Sequence, residues 1–396
     1  MAICILAVTS FLSFGQSGPR ANTRAGGVEG KTDGKVKMFL GIPYAAPPVG
    51  DLRWKPPLPA KKWSGVRPAT EFGHHCMQGK VYNDMIFPDP GPSEDCLTLN
   101  VWEPAGHETG KLPVMVWIHG GGLAAGASSE PRQNGSNLAQ RGVIVVSMNY
   151  RLGIFGFLVH PELAKESGHN SAGNYGLMDQ LAALHWVHDN ITAFGGDPRN
   201  VAIFGESAGS FSVNALMASP LAKGLFQKAI GESGSAFPSS DSVSVRAVKD
   251  TKLLTEKLGT SALAELRALS AEKLLKTFGD APGVFAFDSD IDGHFLSEQV
   301  SATFATGKQN DVPLLVGWNH DEASFTFSRE PPTADWMKNA AKKDFGDRAD
   351  AFLKLYPIDT DELMRRSAVD YASDKWISKD TWDWPEAQLK TGKQPV

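Results

Sequence analysis

One serine in this chain stands where a nucleophile would need it. Gly205-Glu206-Ser207-Ala208-Gly209 follows the short apolar run Val201 to Phe204 and precedes a helical pattern. A serine on so tight a strand-to-helix turn needs small neighbours, because a side chain two positions away on either side would collide with the backbone. Gly205 and Gly209 meet that demand. The turn lifts the Ser207 hydroxyl out of the sheet and leaves the Ala208 N–H at a helix start, where it can receive a developing oxyanion. Upstream, His119-Gly120-Gly121-Gly122 follows another apolar run, and its glycines allow the main chain to aim further N–H groups at the same point. Gly122 to Gly126 lacks the G-x-G-x-x-G spacing, so a dinucleotide site is discarded.

Such turns need a sheet to carry them. The runs Pro113 to Ile118, Val143 to Met148, Val201 to Phe204, Lys228 to Ile230 and Val312 to Val316 read as strands. Leu177 to Ile191 carries apolar residues on one helix face, and Asp197-Pro198 then supplies a turn. Near-continuous apolar strands joined through helices predict a mostly parallel α/β sheet covered on both faces. Chemistry in such sheets sits at the carboxyl ends of the strands. Glu322, in a loop after the run ending at Val316, would fall at that edge, where a carboxylate can orient an imidazole, but by residue pattern alone Asp321-Glu322 reads better as a solvated pair.

The 396 residues include 39 basic and 44 acidic ones without a block of one sign, which argues against nucleic acid as a partner. Ala2 to Phe14 reads as an export signal ending near residue 18, although no basic residue precedes Arg20; a misplaced start or a buried first strand would look similar. The run is too short for stable membrane insertion. Of three cysteines, Cys4 lies in that segment, leaving Cys76 and Cys96 as a disulfide or as two unlinked thiols.

These segments together resemble the type-B carboxylesterase family, which includes para-nitrobenzyl esterases, carboxylesterases and cholinesterases. The resemblance rests on FLGIPYAAPPVGDLRW (39–54), SEDCLTLNVW (93–102), WIHGGG (117–122), NYRLGIFGFL (149–158), the stretch from Asn174 to Ser210, and GWNHDEASF (317–325). It implies an α/β-hydrolase fold in one domain over 26–396 and a serine esterase that uses no cofactor or metal and acts on small-molecule esters. It implies Ser207 as nucleophile, Glu322 as triad acid, and the amides of Gly121, Gly122 and Ala208 as the oxyanion hole. Glu206 and Ser233 stand beside the triad, Cys76 pairs with Cys96, and Arg53–Glu94 and Arg151–Asp179 form ion pairs. Leu123 replaces the family's common aromatic. The family's catalytic histidine follows the acid, whereas all ten histidines here precede Glu322. The expectation is a chain shortened at its C-terminus. His320, two residues from Glu322, is badly placed to reach between that acid and Ser207. His185 and His188 lack a third ligand for a metal.

Two other readings compete. Relatives of the same fold that serve as binding proteins typically lose the nucleophile, which is retained here. Ser270-Ala-Glu-Lys273 and Lys390-Thr-Gly392 match marks of penicillin-binding proteins and serine β-lactamases, but no S-D-N element accompanies them. Ser270 reads instead as a helix cap.

Overall fold

The computed structural model describes residues 18–106, 111–280 and 283–396; most of the expected export signal lies outside them. The strands are β1 (Arg20–Asn22), β2 (Gly27–Glu29), β3 (Lys31–Thr32), β4 (Val36–Pro43), β5 (Val66–Pro68), β6 (His75–Cys76), β7 (Pro92–Ser93), β8 (Thr98–Pro104), β9 (Leu112–Ile118), β10 (Ile144–Met148), β11 (Gly196–Glu206), β12 (Lys228–Glu232) and β13 (Leu314–Gly317). Eight of them form the main sheet in the order β13-β12-β11-β9-β10-β8-β4-β3. Pairing is parallel from β13 through β10 and antiparallel from β10 to β3.

All five apolar runs became the parallel strands, and β10 is buried along its whole length, as a strand covered on both faces must be. Helices Tyr175–Asn190 and Ala208–Ala218 supply part of the cover, with Leu177, Leu184, Val187, Val213 and Leu216 in the main core. Asp197-Pro198 is not the end of an element. It lies inside β11, where the pairing with β9 shifts register between Gly196 and Val201. Asp197 absorbs the irregularity by accepting the Arg199 N–H at 3.0 Å.

One row of paired residues crosses the sheet: Ile118 beside Gly205, Gly205 beside Gly231, Gly231 beside Val316. That register brings the turns after β9, β11, β12 and β13 to the same carboxyl edge. The ion pairs brace the layers around it. Arg53 donates twice to Glu94 at 2.6 Å. Arg151 grips the fully buried Asp179 at 2.8 and 2.7 Å. Cys76 and Cys96 are joined in a disulfide. Ser270 caps helix Ala271–Phe278, its hydroxyl accepting the Lys273 N–H at 3.1 Å, and this backbone role accounts for the serine and lysine of the competing motif. Among the described residues no helix is long and apolar enough to cross a membrane.

Candidate active site

Ser207 follows the last residue of β11 with φ 55° and ψ −122°, a left-handed conformation rare for a residue with a Cβ. Its own N–H is tied to the Glu232 carbonyl at 2.8 Å, and its carbonyl receives the Phe211 N–H at 3.0 Å as the helix Ala208–Ala218 begins. The flanking glycines have no alternative. A methyl group on Gly205 would lie 2.6 Å from the Gly209 carbonyl, and one on Gly209 would lie 2.1 Å from the Ile118 carbonyl oxygen. Ala208 is the first residue of that helix, so its N–H has no intrahelical acceptor.

The glycine turn after β9 touches this elbow directly. A methyl group on Gly120 would sit 3.2 Å from the Ser207 Cβ and 2.6 Å from the Glu206 carbonyl oxygen. Gly121 and Gly122 have φ of 108° and 66°, and among the described residues neither amide has an acceptor. The turn is closed behind them, since the Gly121 carbonyl takes the N–H groups of Ala124 and Ala125. Leu123 follows at φ 55° and is buried. Leu123, Phe211 and Arg246 are among the residues that bound a cavity of about 420 Å3.

Glu322 reaches the same edge from the loop after β13. Its Oε1 accepts from the Ser233 hydroxyl at 2.5 Å, the Asn319 N–H at 2.7 Å and the Asn319 side chain at 3.3 Å. Ser233, itself at φ 55°, is buried and held by its N–H to the Gly317 carbonyl at 2.7 Å. A hydrogen-bonded path thus joins the strand ends β11, β12 and β13. Glu206 lies over the glycine turn, its Oε2 2.8 Å from where a Gly120 methyl would be. Although the residue keeps one side open to solvent, desolvation of its carboxyl and the nearby charges of Glu322 and Glu232 push it up to about 7.

Three features were not readable from sequence. His119 is buried and stacked on Tyr150 at 4.3 Å, with Nδ1 2.8 Å from the Gly120 carbonyl. Burial lowers it to about 4, so it is neutral at pH 7 and braces the turn. Tyr150, inside a motif noted above, donates to the His119 carbonyl at 2.7 Å. The loop within the disulfide also covers the turn. Its Tyr82 hydroxyl stands 3.5 Å from where a Gly122 methyl would lie, and Met85 3.4 Å from the corresponding point on Gly121. No local spacing announces contacts between segments so distant in the chain.

Histidines near the acid go elsewhere. His320 is exposed with Nδ1 2.8 Å from Asp321, not Glu322. His320, Asp321 and Asp370 offer ligand atoms within 4.8 Å of one another. The Arg366 guanidinium bonds both aspartates, which disfavours a metal cation there. His188 pairs with its neighbour Asp189 and His160 caps a helix. Among the described residues no histidine is bonded to Ser207 or Glu322.

The carboxylesterase family profile matches residues 17–389. The chain is 41% identical over 388 residues to the para-nitrobenzyl esterase of Bacillus subtilis (strain 168), covering 91% of this chain and 78% of that protein. It is 41% identical over 348 residues to the fumonisin B1 esterase of Sphingopyxis macrogoltabida, covering 86% of this chain and 63% of that one. It therefore spans less than two thirds of the latter's length. A solved PNB esterase superposes with a TM-score of 0.77 at 38% identity, covering 94% of this chain and 78% of the other. The sheet is thus that of an α/β-hydrolase, and the chain belongs to the carboxylesterase family.

Proposed function

We propose that this chain carries the machinery of a serine carboxylic-ester hydrolase, in one domain over 26–396, with Ser207 as nucleophile. The observation that carries the reading is the left-handed Ser207 at the end of β11, in contact with the Gly120–Gly122 turn. In that setting the hydroxyl attacks the ester carbonyl carbon. The carbonyl oxygen becomes an oxyanion facing the amides of Gly121, Gly122 and Ala208. The serine proton passes to an imidazole, held by Glu322, which returns it to the departing alcohol as the C–O bond breaks. Water then attacks the acyl-serine ester by the same route reversed, releasing the carboxylic acid and restoring Ser207. Family order puts that imidazole after Glu322. Ser233 positions Glu322, and Glu206 borders the oxyanion turn.

Small-molecule esters are the substrate class, a choice supported by relatives whose names are those of esterases. Export to an oxidising compartment, periplasmic or extracellular, belongs to the same proposal and is supported by the Cys76–Cys96 disulfide. The test is to incubate the chain with para-nitrophenyl butyrate and imidazole, then locate any butyryl group by peptide mass spectrometry. Ser207 should carry it, and S207A should not. A butyryl group on other residues alone, or equal labelling of S207A, overturns the reading.

A further inference from the structure

The register of the parallel strands divides their side chains between two faces, because successive residues point to opposite sides. One row across the sheet runs through Val116, Ile203, Ala229 and Leu314, and all four are buried in the main core. The next row runs through Trp117, Phe204, Ile230 and Leu315 on the opposite face. None of these four belongs to a hydrophobic cluster among the described residues. Leu315 is 66% exposed, and the other three are half-buried. Strands this apolar are normally covered on both faces.

The uncovered area has a clear boundary. On β10 the same face is closed, since Val145, the register partner of Met115, is buried in a cluster with Trp102 and Ala139. Trp117 marks the limit, donating its Nε1–H to Gln133 at 2.8 Å and meeting Phe204 with ring centres 4.8 Å apart. From there the face stays open across β11 and β12 to the edge strand β13.

The charges on β12 point to what covers it. Its side chains on the open face are Lys228, Ile230 and Glu232, the two charged ones exposed. Among the described residues Lys228 bonds a neutral group, the Asn200 side chain at 2.6 Å. An apolar residue with opposite charges roughly 7 Å to either side complements its own reverse. Consider a two-fold axis between two such faces, at right angles to the strands and level with Ile230. It sets Ile230 on its copy, Lys228 against the partner's Glu232, and Glu232 against the partner's Lys228, as a self-complementary interface requires. A surface of one sign, such as an anionic membrane, would match only one end of the row.

We propose that two copies of this chain pack through the face of Trp117, Phe204, Ile230 and Leu315, with the Lys228 end of each on the Glu232 end of the other. Neither Ser207 nor the oxyanion amides take part, so the interface stands whether or not the chain hydrolyses esters.

Sedimentation velocity of the 396-residue chain tests this. At micromolar concentration the chain should form a dimer that grows no further, because an isologous contact closes at two. K228E and E232K each bring like charges together at two symmetric places and should weaken the dimer by about ten-fold or more. The double variant K228E/E232K exchanges the two ends and should return the affinity to within about three-fold of the parent. A parent that stays monomeric, an open series of larger species, a dimer untouched by both single changes, or one not restored by the exchange overturns the proposal. If one single variant does not fold, the parent's stoichiometry and the other variant decide.

Discussion

The proposed nucleophile, Ser207, and the proposed acid, Glu322, stand at one sheet edge but are held there by different means. Ser207 sits between interior strands, and its position is enforced by backbone contacts: a methyl group at Gly209 would come 2.1 Å from the Ile118 carbonyl. Glu322 hangs from β13, a four-residue edge strand whose Leu315 is 66% exposed, and among the described residues its carboxylate is held by hydrogen bonds from Ser233 and Asn319. Sterics exclude nearly every residue type around Ser207. Hydrogen bonding leaves the surroundings of Glu322 far more freedom.

The largest effect should therefore come from the nucleophile side. G209A forces the elbow and the β9 turn apart and should cost about 3 kcal/mol of stability, or prevent folding; chemical denaturation that matches the parent would remove the steric argument. Next comes the disulfide loop, whose Tyr82 and Met85 cover the glycine turn. Replacing both Cys76 and Cys96 with alanine should cost about 3 kcal/mol while leaving the chain able to fold, a loss no larger than that of G209A and read in the same denaturation series. On the acid side S233A should cost only about 1 kcal/mol, the net value of one hydrogen bond, because the half-buried Glu322 keeps its bonds from Asn319. A loss as large as that of G209A would erase the contrast between the two regions.

The smallest effect links them electrostatically. Glu206 is raised from 4.5 to about 7 in the folded chain, so folding favours its protonated form. Its contribution is fully present below about pH 4.5 and is lost as the pH rises through about 7. Melting temperature in E206Q should fall less than in the parent across that interval. E322Q, which removes a neighbouring negative charge, should lower the Glu206 midpoint measured by NMR; an unmoved midpoint would mean the two carboxyls do not sense each other.

Much of this edge was legible before the structure. Strands such as Ile144–Met148 announce themselves because burial on both faces demands an unbroken apolar run, and the elbow because only glycine fits at Gly205 and Gly209. Asp197-Pro198 misled for a physical reason: a strand can absorb a proline where its register shifts. Glu322 needed the family resemblance, since an acid on an exposed loop has no pattern of its own. His119 as a neutral brace and Arg246 in the wall of a cavity depend on Tyr150, Leu123 and Phe211 arriving from distant segments. Periodicity carries no record of such meetings.

The central claim is that Ser207 is a complete nucleophile and oxyanion site without a bonded base among the described histidines. Hydrolysis of para-nitrophenyl butyrate by the 396-residue chain and by S207A, each with and without added imidazole, tests it most directly. Loss of the catalytic histidine in subtilisin costs about a million-fold in kcat. The prediction is therefore a rate near background without imidazole and a Ser207-dependent increase with it. Vigorous Ser207-dependent turnover without imidazole, or no Ser207-dependent rate under either condition, would contradict the account.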